Sequence, residues 1–93
     1  MKEVVTGTGP AADTSVDATK AANIDISLSP TKGKKILEIL AVKRISGLPD
    51  GVVLVGFEFP DATTCRVRVY NTTSAAVTIS ANSVTVEAYA KVL

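Results

Sequence analysis

A chain of 93 residues with a formal net charge of +1, one cysteine and no histidine is one domain at most. It has no intrachain disulfide, no bulk attraction to nucleic acid or membranes, and no Ser-His or Cys-His pair for nucleophilic catalysis. A domain this small buries a limited core, so self-association would stabilise it.

Lys2 to Thr6 has the makings of a brief strand. From Gly7 to Asn23 the chain is Gly, Pro, Ala, Thr, Ser and Asp, and Val16 is its one large apolar residue. Such a segment does not offset its ordering entropy by its own burial. Residues 1–22 are therefore expected to form a polar N-terminal arm, either a loose tail or a segment ordered by a partner, ahead of a β-domain at 23–93.

Asn23 to Ser29 alternates, with Ile24, Ile26 and Leu28 on one face, as a half-buried strand requires. Ser29 to Gly33 is a loop. Lys34 to Ser46 has two readings. Ile36, Leu37, Leu40 and Arg44 fit a helical face, whereas a strand would be apolar on both faces. The neighbouring segments all read β, and no Ser, Thr, Asp or Asn caps the start closely, which favours a strand.

Gly47-Leu48-Pro49-Asp50-Gly51 is a turn. In the strand that follows, Val53, Val55, Phe57 and Phe59 are expected on one face and Val52, Leu54, Gly56 and Glu58 on the other, with Pro60 to Thr63 as a loop. Thr64 to Val92 alternates most clearly. Cys65, Val67 and Val69 oppose Arg66, Arg68 and Tyr70. Val84, Val86, Ala88, Ala90 and Val92 oppose Thr85, Glu87, Tyr89 and Lys91. Turn residues at 71–74 and 81–83 divide this stretch into three strands. The result is an all-β fold, a compact β-sandwich of jelly-roll or Greek-key type.

The chemistry is sparse. Cys65 lies on an apolar face and reads as a small buried hydrophobe rather than a nucleophile. No phosphate loop or calcium-loop spacing occurs, so neither a cofactor nor a metal site is expected. Lys32, Lys34, Lys35, Lys43 and Arg44 cluster around one strand, either as lysine protection of a sheet edge or as a docking group. Phe57 and Phe59 read as core. Arg66, Arg68 and Tyr70 share an outward face, either a small binding strip or a wet face with cross-strand pairs, for example from Arg66 to Glu87. Asn71-Thr72-Thr73 reads only as a turn. The doubly apolar strands require a cover that the polar arm supplies poorly. Ile36, Leu37, Ile39, Leu40, Val52 and Leu54 are thus candidates for a homo-oligomer interface, with a trimer expected.

The stretches G-L-P-D-G-V-V-L-V-G-F-E-F (47–59), T-C-R-V-R-V-Y-N-T-T-S-A-A-V-T-I (64–79) and T-V-E-A-Y-A-K-V (85–92) resemble small β-sandwich structural proteins of tailed bacteriophages. These include head decoration (cement) proteins and fibre- or tail-associated domains. The likeness is one of sequence style over roughly residues 24–93. The mid-chain lysines and the polar arm are not part of it, and no functional residue carries across. It implies a non-enzymatic virion protein, made in the host cytoplasm, that binds the major capsid protein, and within the basic group read above Lys32, Lys34 and Lys35 are then the candidate docking residues. A receptor- or sugar-binding fibre domain is the alternative. Nucleic acid and membrane partners are not implied.

Overall fold

The computed structural model describes residues 1–93 as eight antiparallel strands without helix. In chain order they are β1 (Lys2–Gly9), β2 (Thr14–Val16), β3 (Ala21–Ser27), β4 (Ile36–Ser46), β5 (Val52–Asp61), β6 (Thr64–Asn71), β7 (Val77–Ile79) and β8 (Val84–Val92).

The two cleanest alternations in the sequence become the two central strands. β8 lies between β1 and β4, and β6 lies between β3 and β5. A central strand is flanked by ladders on both edges, so its side chains leave only through the faces and period two is strictly kept. The inner rows, Val84, Val86, Ala88, Ala90 and Val92 on β8 and Cys65, Val67 and Val69 on β6, are fully or almost fully buried. Ile24 and Ile26 of β3, Val5 of β1 and Leu28 join them in one core. Each fully buried Ile or Val contributes about 1.5–3 kcal/mol relative to exposure.

The expected arm at 1–22 is instead part of the fold. β1 pairs along the whole of β8, from Lys2↔Lys91 to Gly9↔Val84. β2 pairs with β7. Val5 and Val16 are each 1% exposed. The physical reason is that small residues order through their backbone. Glycine lets β1 approach β3 closely: a Cβ at Gly7 would collide with the Ser27 carbonyl, and Ile26 Cγ2 would lie 3.2 Å away. Ser29 N donates to Thr6 O at 2.9 Å, bridging the two sheets along this flank. β1 and β3 thus seal one side, so β4 and β5 both lie on the other.

The small β2–β7 sheet packs Val16 and Ile79 into the core. Asn71, the one buried polar residue, ties it down. Its Nδ2 donates to Val16 O (2.9 Å) and Ala75 O (2.8 Å), and its Oδ1 accepts from Thr73 N (2.9 Å) and Thr73 Oγ1 (2.7 Å). Both N–H donors and both acceptor positions of that amide are used. Asn71 is therefore more than the turn residue the sequence suggested.

Residues 34–46 form a strand, with a pattern that explains their ambiguity. The β4–β8 register slips between Ile36 and Glu38, between Ile39 and Ala41, and between Val42 and Arg44. Each slip leaves one residue unpaired: Leu37, Leu40 and Lys43. Ile36, Ile39, Val42 and Ile45 consequently stand opposite the buried residues Val92, Ala90, Ala88 and Val86. The inner row of β4 recurs every third residue, between the periods of a flat strand and a helix.

β5 departs from its expected faces for the same reason. A slip between Leu54 and Gly56 places Leu54 opposite Val69 and Phe57 opposite Val67. Val52, Leu54 and Phe57 therefore share the inner row, and Val53 falls opposite Tyr70 on the other face. The strand also continues through Pro60 to Asp61, which an edge strand tolerates because one side has no ladder to donate to. No helix of the structure is long and apolar enough to cross a membrane.

Candidate functional site

The exposed apolar surface gathers on the unsealed flank. Leu37 and Leu40 of β4 are 44% and 41% exposed, and Leu54, Val55 and Phe57 of β5 are 43%, 58% and 47% exposed. The inner-row residues Ile39, Val42, Ile45 and Phe59 are only half-buried. On the β1–β3 side the corresponding surface is closed by the seam. Here β4 and β5 are terminal strands of their sheets, and their outer edges carry no ladder.

The candidate interface residues divide accordingly. Ile36 and Val52 are 2% and 6% exposed within a single chain and belong to its own core, beside Val92 and Asn71 in the ladders. Ile39 is half-buried against that core. Leu37, Leu40 and Leu54 remain on the surface. Sequence reasoning missed Val55 and Phe57, because an unbroken period two assigned Phe57 and Phe59 to the core. Their rings lie 5.8 Å apart, with Phe59 half-buried and Phe57 open.

Lys32, Lys34 and Lys35 come together at one end of the molecule, beside both termini. Lys35 pairs its backbone with Leu93 in both directions, at 3.1 and 2.9 Å. Lys34 Nζ lies 3.5 Å from Glu3 Oε1 and donates to Met1 Sδ at 3.0 Å. Lys32 and Lys35 are exposed and make no ion pair within the chain. Two of the three candidate docking lysines are thus available, and the third is engaged.

Glu3 organises this end. It accepts from Thr31 N (2.9 Å) and Thr31 Oγ1 (2.8 Å), and these bonds, with the Lys34 charge, hold its carboxyl below the ordinary glutamate range. A carboxyl depressed in the fold contributes stability above its unfolded pKa and loses it as pH falls through the folded value. Glu3→Gln is therefore expected to lower thermal stability near pH 7, with the gap to wild type closing below about pH 4. A gap that stays constant down to pH 2 would refute that role for the carboxylate.

The wet face of β6 carries a guanidinium cluster. Arg66 donates to Asp25 through Nε (2.8 Å) and Nη2 (3.3 Å) and to Glu58 through Nη1 (3.1 Å). The Asp25 hydrogen bonds, then that to Glu58, hold Arg66 firmly protonated. The suggested Arg66–Glu87 pair does not form, because Glu87 belongs to the other sheet, where its partner is Lys43 at 4.0 Å. Arg68 donates to Asn23 at 3.1 Å. A shallow hollow beside this cluster is lined by Val55, Gly56, Phe57, Glu58, Arg66 and Arg68.

Cys65 is fully buried, and desolvation pushes its thiol pKa up, away from thiolate chemistry. No three His, Cys, Asp or Glu side chains group as ligands for a metal ion. The surface presents an apolar flank, a basic end and a guanidinium face. No family model, no curated protein and no solved structure matches this chain.

Proposed function

We propose that this chain is a structural virion protein, a decoration or cement protein that binds the outer surface of a phage capsid as a homotrimer and stabilises the particle. Its two three-stranded sheets would act as the layers of a β-sandwich of Greek-key or jelly-roll type, with the β2–β7 pair closing one end. The observation that carries the reading is the apolar β4–β5 flank, which one chain leaves open although its core is otherwise sealed. Burying that flank between copies stabilises a domain of this size, and an oligomer repeats each weak capsid contact. Lys32 and Lys35 at the terminal end are the docking groups toward acidic capsid seams, with Lys34 held back by Glu3.

Quantitative mass spectrometry of particles purified from the source of this chain tests the proposal. Hundreds of copies per particle are expected. A handful would move the chain to the fibre or tail, and none would end the virion reading. Lys32, Lys34 and Lys35 changed together to Ala should leave the fold intact and weaken binding to stripped capsids at low salt. Exposed pairs are individually worth about 0–1 kcal/mol, so single changes should be nearly silent.

The second reading, a sugar- or receptor-binding fibre domain, draws on one feature. Phe57 stands open beside Arg66, Arg68 and Glu58 in the hollow on β5 and β6. Such a site would place a ring platform beside fixed polar groups.

A further inference from the structure

The two terminal strands of the open flank are opposite in charge. Residues 34–46, β4 and its approach, carry Lys34, Lys35, Lys43 and Arg44 against Glu38 alone, a net +3. Residues 50–61, the end of the turn and β5, carry Asp50, Glu58 and Asp61 with no cation, a net −3. Lys34, Lys43 and Glu58 are paired within the chain, with Glu3, Glu87 and Arg66, which leaves a free +1 (Lys35 and Arg44 against Glu38) on the first of these terminal strands and a free −2 (Asp50 and Asp61) on the second.

We propose that the flank is a self-assembly surface in which β4 of one copy packs against β5 of the next, around an axis parallel to the strands. The inference rests on the self-association reading above and adds which edge meets which. β1 abuts β3, so both terminal edges face the same side. Rotation about an axis along the strands then brings the β4 edge of each copy to the β5 edge of another, and the ring closes with no edge left over. Consecutive strands joined by the Gly47–Gly51 turn run in opposite directions, so β4 meets β5 of the neighbour antiparallel. Rotation about an axis normal to the sheets would instead pair β4 with β4 and β5 with β5. That would set the cationic edge against itself and the anionic edge against itself. The charge distribution favours β4 on β5 over β4 on β4, because like charges across an interface are a penalty, and of the β4-to-β5 arrangements the axis along the strands is the one that closes a ring of three.

The bulges indicate what kind of contact this is. Three slips on β4 and two on β5 break the regular spacing that a continuous intermolecular ladder needs. Two of the three unpaired residues of β4 are leucines, and the first of β5 is Val55. Leu37 and Leu40 are therefore apolar knobs, and Leu54, Val55 and Phe57 are the surface they pack on, with the charges setting the pairing. Arg44 and Asp50 make no ion pair within the chain and are free to serve a neighbour.

Charge exchange on the full-length chain tests this by sedimentation velocity at low salt, with circular dichroism confirming the fold of each variant. One variant carries Arg44→Glu, a second carries Asp50→Lys, and a third carries both changes. Each single variant should self-associate more weakly by about fivefold or more. The double variant should recover to within about twofold of wild type. An equimolar mixture of the two weak variants should associate more strongly than either alone, with one like-charged contact left in a three-membered ring, and the differences should shrink in high salt. A wild-type chain that stays monomeric at high micromolar concentration would overturn self-association itself. A wild-type oligomer that neither single variant weakens, or that the double variant fails to restore, would overturn the β4-to-β5 pairing alone.

Discussion

Asn71→Ala is expected to cost about 3 kcal/mol, which in a domain of this size lowers Tm on the order of 15 °C. The side chain is fully buried and makes four hydrogen bonds, to two carbonyls, one backbone amide and one hydroxyl. Truncation leaves the Val16 carbonyl and the Thr73 amide without their partner, and stranded buried polar groups cost about 1–3 kcal/mol each. It also releases β2, because the Val16 carbonyl is where Asn71 grips that strand. Asn71→Asp keeps the shape but turns an acceptor toward the Val16 and Ala75 carbonyls. It should be at least as damaging at pH 7 and milder in acid, where the carboxyl can donate again. Thr72→Ala, at an exposed position whose hydroxyl donates to Gly51 O at 2.6 Å, should cost under about 1 kcal/mol. Chemical denaturation of the three variants reads the comparison. An Asn71→Ala protein within about 1 kcal/mol of wild type would show that the amide is not the fastener of the β2–β7 sheet.

Gly7→Val is expected to separate β1 from β3 and to cost about 3 kcal/mol or more. The added Cβ would overlap the Ser27 carbonyl, which is backbone and cannot rotate away, and would press on Ile26 Cγ2. The strand that carries Gly7 also pairs along the whole of β8, so the seam cannot open without uncovering Val5. The readout is denaturation together with proteolysis of residues 1–22, which should become sensitive in the variant while the rest of the chain is cut more slowly. Gly56→Ala is the control. Nothing lies within 4 Å of a Cβ there, so the change should be neutral or stabilise by about 0.4–1 kcal/mol. A Gly7→Val chain as stable and as protease-resistant as wild type would mean that β1 does not depend on close approach to β3.

The sequence by itself determined the class of the fold and its two central strands. β6 and β8 have a neighbour on each edge, so nothing disturbs their pleat. Their alternation passes directly into buried and exposed faces, Cys65, Val67 and Val69 inward and Arg66 and Arg68 outward. Solvent on one face and core on the other is a one-dimensional rule, and one dimension suffices to read it.

Three features were decided only by tertiary structure. The small-residue segment at 1–22 was ordered by backbone pairing and close approach, which leave no hydrophobic trace in sequence. Asn71 acquired its role from partners at Val16 and Ala75 that the fold brings to it. The faces of β4 and β5 were set by register slips. A single unpaired residue moves every later side chain to the opposite face, so Phe57 left its expected companion Val53 and joined Leu54. On β4 three slips turned period two into period three, which is why Lys34 to Ser46 fitted helix and strand equally badly. The apolar surplus of these strands was visible in composition. That Ile36 and Val52 sink into the core while Leu37, Leu40 and Leu54 stay outside depends on where the slips fall, and the partner strand fixes that.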